Sequence, residues 1–218
     1  AFAVAALSAE GDTVMQHDLV RTGAGSTAQL RWTGGFRVKL APETTFEVRK
    51  AVFNRSNEHE EDLFRLERGR VWVRLRRMLV GDSKFEVETP TIVAAVRGTT
   101  FSVQVAPDGV SSVEVYDGRV AVKPKQGEAV EVEASKGVII RAGQPTPFAQ
   151  ALSEAQQRDW EQQTSIIGPL LVVSAPREGE RTERTSITVT GRAEPGDLVT
   201  INGEHIAPGR KSGTFRLS

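Results

Sequence analysis

The sequence predicts an all-β protein, and three observations carry this prediction. Short segments in which apolar and polar residues alternate, such as "FRVKL" and "VWVRL", follow one another along most of the chain. Turn dipeptides such as Asp117-Gly118 separate them. No segment with helical periodicity interrupts them before residue 149. Many short strands joined by turns are typical of a β-roll, a sandwich or a short β-solenoid.

The composition limits what the protein can bind. At 218 residues the chain suits one full domain and a smaller one. Lys plus Arg and Asp plus Glu each total 28, so no overall field attracts the chain to nucleic acid or to an anionic membrane. The chain has no Cys, which excludes disulfides, zinc-thiolate sites and thiol nucleophiles. Stability must therefore come from core packing, and binding to charged polymers must be local.

The first segment, "AFAVAALSAEG", is too short to span a bilayer, which requires about 20 apolar residues. Its alternation of small and larger apolar residues favours a first β-strand. The alternative is that Ala1-Phe2-Ala3 is the remnant of a signal-peptidase site. We expect any membrane attachment to come from segments outside this sequence.

One segment departs from the β pattern, "AQALSEAQQRDWEQQ". Ser153 and Gln156 have the spacing of a capping box, which marks the start of a helix. Leu152, Gln156 and Trp160 lie four residues apart and form a narrow edge. We expect a short helix that packs against the β core or leads to the next domain, with Trp160 as its anchor.

The last part of the chain predicts a second, smaller β module. Four short strands are visible, and Asn202-Gly203 between two of them indicates a hairpin. An immunoglobulin-like sandwich needs about seven strands, so we expect an incomplete module whose open edge accepts a strand from a neighbour. The predicted divisions are a β domain at 1–148, a helix and linker at 149–168, and an immunoglobulin-like module at 169–218.

Between two apolar runs stands Arg97-Gly98-Thr99, which we interpret as a hinge that determines the fold. Gly98 is expected to adopt a backbone angle unfavourable for other residues or to allow close approach of another strand. The hydroxyl of Thr99 or Thr100 is expected to satisfy backbone groups freed at the bend. Arg97 then requires a carboxylate partner, for which the candidates are Glu86, Glu88 and Glu114.

The best local candidate for ligand binding is the basic segment "RLERGRVWVRLRR". Alternation along a strand places four of its side chains on one face. Such a row with an aromatic member suits phosphate, an anionic glycan or stacked sugar rings. The alternative is that the acidic run "EHEED" at 58–62 neutralises the row and leaves a solvated face. The four residues are Arg70, Trp72, Arg74 and Arg76.

Catalytic and metal-binding motifs are not evident. His17, His59 and His205 lie in different segments, and none has a second His at the spacing of metal ligands. The glycine-rich segment "RTGAGSTAQL" lacks the lysine of a phosphate-binding loop, and no Gly-x-Ser-x-Gly motif occurs. We expect no catalysis, no metal and no cofactor.

Several segments resemble the FecR domain family. The resemblance covers roughly 9–145, and its most specific part is F-x-V-x-T-P followed closely by V-R-G-T-x-F. The segments are "FRVKLAPETTFEV", "RLERGRVWVRL", "GDSKFEVETPTIVAAVRGTTFSVQV" and "VSSVEVYDGRVAVKP". Residues 189–217 are similar to bacterial immunoglobulin-like repeats that often accompany this domain.

The resemblance implies a non-enzymatic domain in the periplasm, the cell wall or the surface of a bacterium. Because an immunoglobulin-like module is expected to follow, our main expectation is an envelope scaffold that binds proteins or assembles with itself through the C-terminal module. The first alternative is the family's sensor role, which passes a signal from an outer-membrane transducer to a sigma factor. The second alternative is a module that binds cell-wall glycan. We expect no nucleic-acid partner.

Overall fold

A computed structural model of the chain describes 12–32, 36–54, 56, 59–75, 81, 83–96, 98–144, 148–167, 172–175, 188–192, 199–201, 204–206 and 214–217. It confirms the all-β prediction, since strands dominate and one short helix is present among these residues. The chain divides into two units, Ala1–Ile167 and Gly168–Ser218.

In its described part the first unit contains thirteen strands and one helix. The strands are β1 (Leu19–Arg21), β2 (Ala28–Arg31), β3 (Arg37–Leu40), β4 (Thr45–Asn54), β5 (His59–Arg74), β6 (Lys84–Glu88), β7 (Ile92–Val96), β8 (Thr100–Val105), β9 (Ser111–Asp117), β10 (Arg119–Pro124), β11 (Val130–Glu133), β12 (Lys136–Ile140) and β13 (Gln150–Ala151), and the helix is α1 (Glu154–Ile167). Within this part of the chain, no helix is long and apolar enough to cross a membrane.

The long strand β5 belongs to two half-sheets. Its first half pairs with β4 and, in parallel, with β6, giving a first half-sheet in the order β11-β10-β7-β6-β5-β4-β1. Its second half pairs with β3 and β8, giving a second half-sheet in the order β2-β3-β5-β8-β9-β12-β13. The β5–β6 pair is parallel, and the other pairs recorded in this unit are antiparallel. This arrangement matches the rolled or sandwich-like alternative, because a solenoid stacks parallel coils.

Gly69 is the point at which β5 passes from one half-sheet to the other. Its φ is +94°, a conformation that L side chains rarely adopt. A Cβ at this position would lie 2.5 Å from the Cα of Thr44. The Thr44 hydroxyl accepts a hydrogen bond from the backbone N–H of Arg70 at 3.2 Å. The glycine therefore bends a continuous strand.

Aromatic side chains from both half-sheets fill the space between them. Phe36 and Phe101 come from the second half-sheet side, and Phe46, Phe64 and Phe85 come from the first. All five are at most 1% exposed, and neighbouring rings lie 4.9 to 6.2 Å apart. Such ring pairs add about 0.5–1.5 kcal/mol each beyond the area they bury. The core is thus a closed apolar layer with aliphatic side chains around the rings.

The predicted hinge has two described members. Gly98 has a φ of +65°, and the buried Thr99 donates its hydroxyl to the backbone carbonyl of Arg119 at 2.9 Å. Gly118 approaches the same point, since a Cβ there would lie 3.0 Å from the Thr99 hydroxyl oxygen. These contacts tie β8 to the β9–β10 turn. Arg97 lies outside the described residues.

The second unit contains two small sheets in its described part. One consists of β14 (Val172–Ala175), β15 (Val189–Arg192) and β18 (Thr214–Leu217), with β15 in the centre. The other is the hairpin of β16 (Val199–Ile201) and β17 (Glu204–Ile206), in which Ile201 pairs with Glu204. The predicted hairpin is confirmed, although Asn202-Gly203 and the expected first strand of the chain lie outside the described residues. The immunoglobulin-like fold stays a prediction.

Candidate functional site

The outer face of the second half-sheet carries a cluster of charged and aromatic side chains. One row crosses four adjacent strands, because Lys39 pairs with Trp72, Trp72 with Ser102, and Ser102 with Glu114. Arg70 and Tyr116 lie two residues away from this row on their strands. We call the six together the polar face: Lys39, Arg70, Trp72, Ser102, Glu114 and Tyr116.

Arg70 is the centre of the polar face. Its Nη2 group donates to Glu114 Oε2 at 2.6 Å and also lies within 3.3 Å of the Ser102 and Tyr116 hydroxyl oxygens. Its guanidinium lies over the Trp72 ring, 4.8 Å from the centroid. Because both ions are largely withdrawn from solvent, this ion pair must be satisfied by hydrogen bonds. Arg70 and Glu114 therefore neutralise each other within the second half-sheet.

Tyr116 binds the same carboxylate as Arg70, that of Glu114. Its hydroxyl donates to Glu114 Oε2. Burial, followed by this hydrogen bond, raises the pKa of Tyr116 above its ordinary value. The phenol is consequently a fixed donor at physiological pH and is not available as a general base.

Helix α1 covers the polar face with one edge. The residues directed at the sheet are spaced three and four apart, as expected for one helix face. Gln156 Nε2 donates to Glu114 Oε1 at 2.6 Å, and Asp159 Oδ2 lies 3.0 Å from Arg70 Nη1. Lys39 Nζ donates to Gln163 Oε1 at 2.5 Å. The predicted anchor is confirmed, since Trp160 stacks on Tyr116 with ring centroids 4.1 Å apart.

The start of α1 agrees with its predicted capping box. The Ser153 backbone N–H donates to Gln156 Oε1 at 2.9 Å, and the Gln156 N–H donates to Ser153 Oγ at 3.4 Å. The same Gln156 side chain also contacts Glu114. One residue thus begins the helix and joins it to the sheet.

Of the four residues in the predicted basic row, the structure brings Arg70 and Trp72 together beneath α1, where Trp72 is buried. Arg74 lies at the end of β5, half-buried and in register with Thr100. Arg76 lies outside the described residues. Ligand binding by this row stays a prediction. Because α1 lies over Arg70 and Trp72, a ligand can contact only those parts of the two side chains that the helix does not cover.

The acidic run does not neutralise Arg70, whereas Arg76 and Glu58 lie outside the described residues. Glu114 and Asp159 neutralise Arg70, whereas 59–62 begin β5 at its opposite end. Glu61 faces outward and pairs with Lys50 at 2.5 Å. Glu60 and Asp62 face inward and are 2% exposed. Period-two alternation continues through these charged residues, which is why hydrophobicity alone fails to place them in a strand.

The buried acids form a second polar site inside the first half-sheet. Asp62 is in register with Ala51 on one side and Phe85 on the other. Burial and the neighbouring Glu60 raise the pKa of Asp62 to about 8. Within the described part of the chain, no three His, Asp or Glu residues form a group suited to a metal ion. Burial and the neighbouring carboxyl therefore favour a protonated Asp62 at neutral pH.

A groove of about 540 Å³ lies on the outer face of the first half-sheet. Ala95 and Ala121 form its floor, and Glu86, Arg119 and Glu131 are among the residues around it. Arg119 and Glu131 are exposed and face each other at 3.4 Å. The charges around the groove are thus of both signs and partly paired.

Comparison with known proteins bears on the first unit. Residues 18–121 match the family model of FecR protein. This FecR segment runs from β1 into β10 and contains all six residues of the polar face, whereas α1 follows it. No curated protein matches the sequence.

Among the solved structures that resemble the chain are two of a putative anti-sigma factor from Parabacteroides distasonis ATCC 8503. They are 17% and 18% identical to it, with TM-scores of 0.53 and 0.54. Each alignment covers 71% of this chain and 66% of the solved one, so the chain spans just under two thirds of their length. At this identity the likeness shows the fold. It extends beyond the FecR segment, which is 104 residues long, counted from 18 to 121.

Proposed function

We propose that the chain is the sensing part of a FecR-type regulator in a bacterial cell envelope. In this role it receives a signal through protein contacts and influences a sigma factor. The observation that carries the proposal is the FecR match, which includes most of the rolled sheet and the complete polar face. The fold likeness to a putative anti-sigma factor supports it. The sensor role, an alternative in the sequence analysis, therefore becomes the first candidate.

The geometry of the polar face suits contact better than chemistry. Arg70, Glu114 and Tyr116 are bound to one another, so none of them is a poised acid, base or nucleophile. Aromatic side chains and arginines are enriched in recognition surfaces, and an arginine can bind the face of an aromatic ring. We therefore propose that the protein acts without catalysis and without a cofactor.

The test is a deletion of the gene in its own bacterium, followed by complementation. RNA sequencing of the deletion strain should reveal a coherent set of promoters whose activity changes and returns with the wild-type gene. A gene carrying Gly69→Ala should fail to complement, because the substituted Cβ collides with Thr44. Gly109→Ala is the matched control, because that glycine also has a positive φ but no atom within 4 Å of the added Cβ. Unchanged transcription in the deletion strain would exclude the regulatory role.

A scaffold is the second candidate, and the described part of the second unit favours it. There β14 and β18 are the outer strands of a three-stranded sheet, and outer strands can accept a strand from another chain. Sedimentation velocity over a wide range of protein concentration should then reveal growing oligomers. A constant monomer at every concentration would remove this candidate and leave the regulatory one intact.

A further inference from the structure

The contact between α1 and the polar face leaves polar atoms unsatisfied. Three buried atoms have no hydrogen-bond partner among the described residues: Arg70 Nε, Trp72 Nε1 and Asp159 Oδ2. Asp159 Oδ2 lies 3.0 Å from Arg70 Nη1, but the pair is not aligned as a hydrogen bond. Buried polar groups in folded proteins are nearly always hydrogen-bonded. The helix therefore satisfies this face incompletely.

Among the α1 side chains that the structure describes, most contacts with the polar face are polar. Gln156, Asp159 and Gln163 reach the sheet through polar groups, and Trp160 contributes one aromatic stack. Because the hydrophobic effect scales with the apolar area removed from water, the polar contacts of Gln156, Asp159 and Gln163 add little resistance to separation. The polar face also remains compensated when α1 leaves, since Arg70 keeps Glu114 as its partner within the sheet.

We propose that the polar face is a docking site for an acidic helix of a partner protein, and that α1 occupies this site until the partner displaces it. The partner helix presents a carboxylate to Arg70 and an aromatic ring to Tyr116, as α1 does with Asp159 and Trp160. A carboxylate that binds Arg70 side-on through Nε satisfies an atom that α1 leaves unpaired. A further acceptor on the helix satisfies Trp72 Nε1. This inference does not require that the chain act in signalling.

The probe is a labelled synthetic peptide with the sequence of residues 152–167, which carries the contacts that α1 makes. Its binding is measured by fluorescence anisotropy with the full chain and with a full chain carrying Trp160→Ala and Gln163→Ala. These substitutions remove the contacts of α1 to Tyr116 and Lys39. We expect the variant to bind the peptide at least about tenfold more tightly than wild type, because the tethered helix competes at a high effective concentration.

Two controls connect binding to the polar face. Arg158→Ala alters an α1 side chain that is 70% exposed, so this chain should bind the peptide as weakly as wild type. A peptide with Asp159→Ala should bind the double variant at least about tenfold more weakly than the unaltered peptide, because it lacks the carboxylate for Arg70. Equal binding of the peptide to wild type and double variant, equal binding of both peptides, or no binding to the variant would each overturn the proposal.

A second measurement covers the case in which the double variant does not fold. Hydrogen exchange of the wild-type chain should become faster in α1, and not in β9, when the unlabelled peptide is added in excess. Exchange in α1 that does not change at saturating peptide would overturn the proposal. Since both assays measure binding in vitro, their failure leaves the transcriptional test of the proposed function unaffected.

Discussion

The two halves of β5 both bury charged side chains, and they stabilise these charges in opposite ways. In the second half, Arg70 is neutralised by Glu114 at 2.6 Å and by Asp159 at 3.0 Å. In the first half, Asp62 lies beside Glu60 in the core, and in the described part of the chain Asp62 forms no ion pair. Opposite charges retain their ionised forms, whereas neighbouring carboxyls take up a proton.

The two halves of β5 should therefore respond to different changes, one to the loss of a charged partner and the other to pH. The second half should be sensitive to loss of either charged partner, because the remaining ion would stay buried without compensation. The first half should be sensitive to pH, because its charge depends on a bound proton. Gly69 separates the two halves, so its replacement should affect both.

The largest effect is expected from Gly69→Ala. The added Cβ meets the Thr44 backbone at 2.5 Å, and alanine also disfavours the positive φ, so we expect a loss of about 4 kcal/mol in the free energy of unfolding. Urea denaturation followed by circular dichroism measures it. Gly109→Ala, which has a similar φ of +81° and no nearby atom, should lose only about 1 kcal/mol. Equal losses in the two variants would show that close packing at Gly69 is unimportant.

The next effect is expected from Arg70→Met, which leaves Glu114 buried without its main partner. Breaking a largely buried pair in this way costs about 3 kcal/mol. The double variant with Glu114→Gln should recover part of the loss, and a double-mutant cycle from urea denaturation measures the coupling. The exposed pair of Arg119 and Glu131 provides the control. Arg119→Ala should change the free energy of unfolding by less than about 0.5 kcal/mol. A loss as large as that of Arg70→Met would contradict the distinction between buried and exposed ion pairs.

Much of the β architecture was predictable from local patterns. Alternation in segments such as "FRVKL" and the turn glycines locate many of the strands, and the spacing of Ser153 and Gln156 locates the start of α1. Lys39 shows where this inference stops. Alternation predicts an exposed Lys39, but it is 6% exposed because α1 covers that side of the sheet. Which face a helix covers depends on long-range packing.

The polar face illustrates a second limit. Alternation in "VSSVEVYDG" places Glu114 and Tyr116 on one side of a strand, and the basic segment places Arg70 and Trp72 on one side of another. That these sides coincide follows from the register of β5 against β8 and of β8 against β9. Register between strands distant in sequence depends on the folded core. The sequence alone therefore places each pair on one side of a strand without bringing the two pairs together, and it does not single out Lys39, Ser102 or Tyr116.

The smallest effect, and the sharpest test of the first half of β5, concerns pH. The pKa of Asp62 is raised from its ordinary value near 4 to about 8, so the folded state binds a proton that the unfolded state releases. Stability from this group is therefore fully present below pH 4 and is lost as the pH rises toward 8. Asp62→Asn should remove this decline and stabilise the protein at pH 8 by about 1–2 kcal/mol, a reduced value because Glu60 shares the proton.

The neighbouring Glu61, whose pKa Lys50 holds below its ordinary value, provides the control. Its own contribution is lost as the pH falls, and its charge is the smallest cause of the raised pKa of Asp62. Glu61→Gln should therefore leave most of the decline toward pH 8 in thermal unfolding curves. If wild type and Asp62→Asn instead lose stability equally between pH 4 and pH 8, the carboxyl pair does not bind the proton, and the contrast between the two halves of β5 fails.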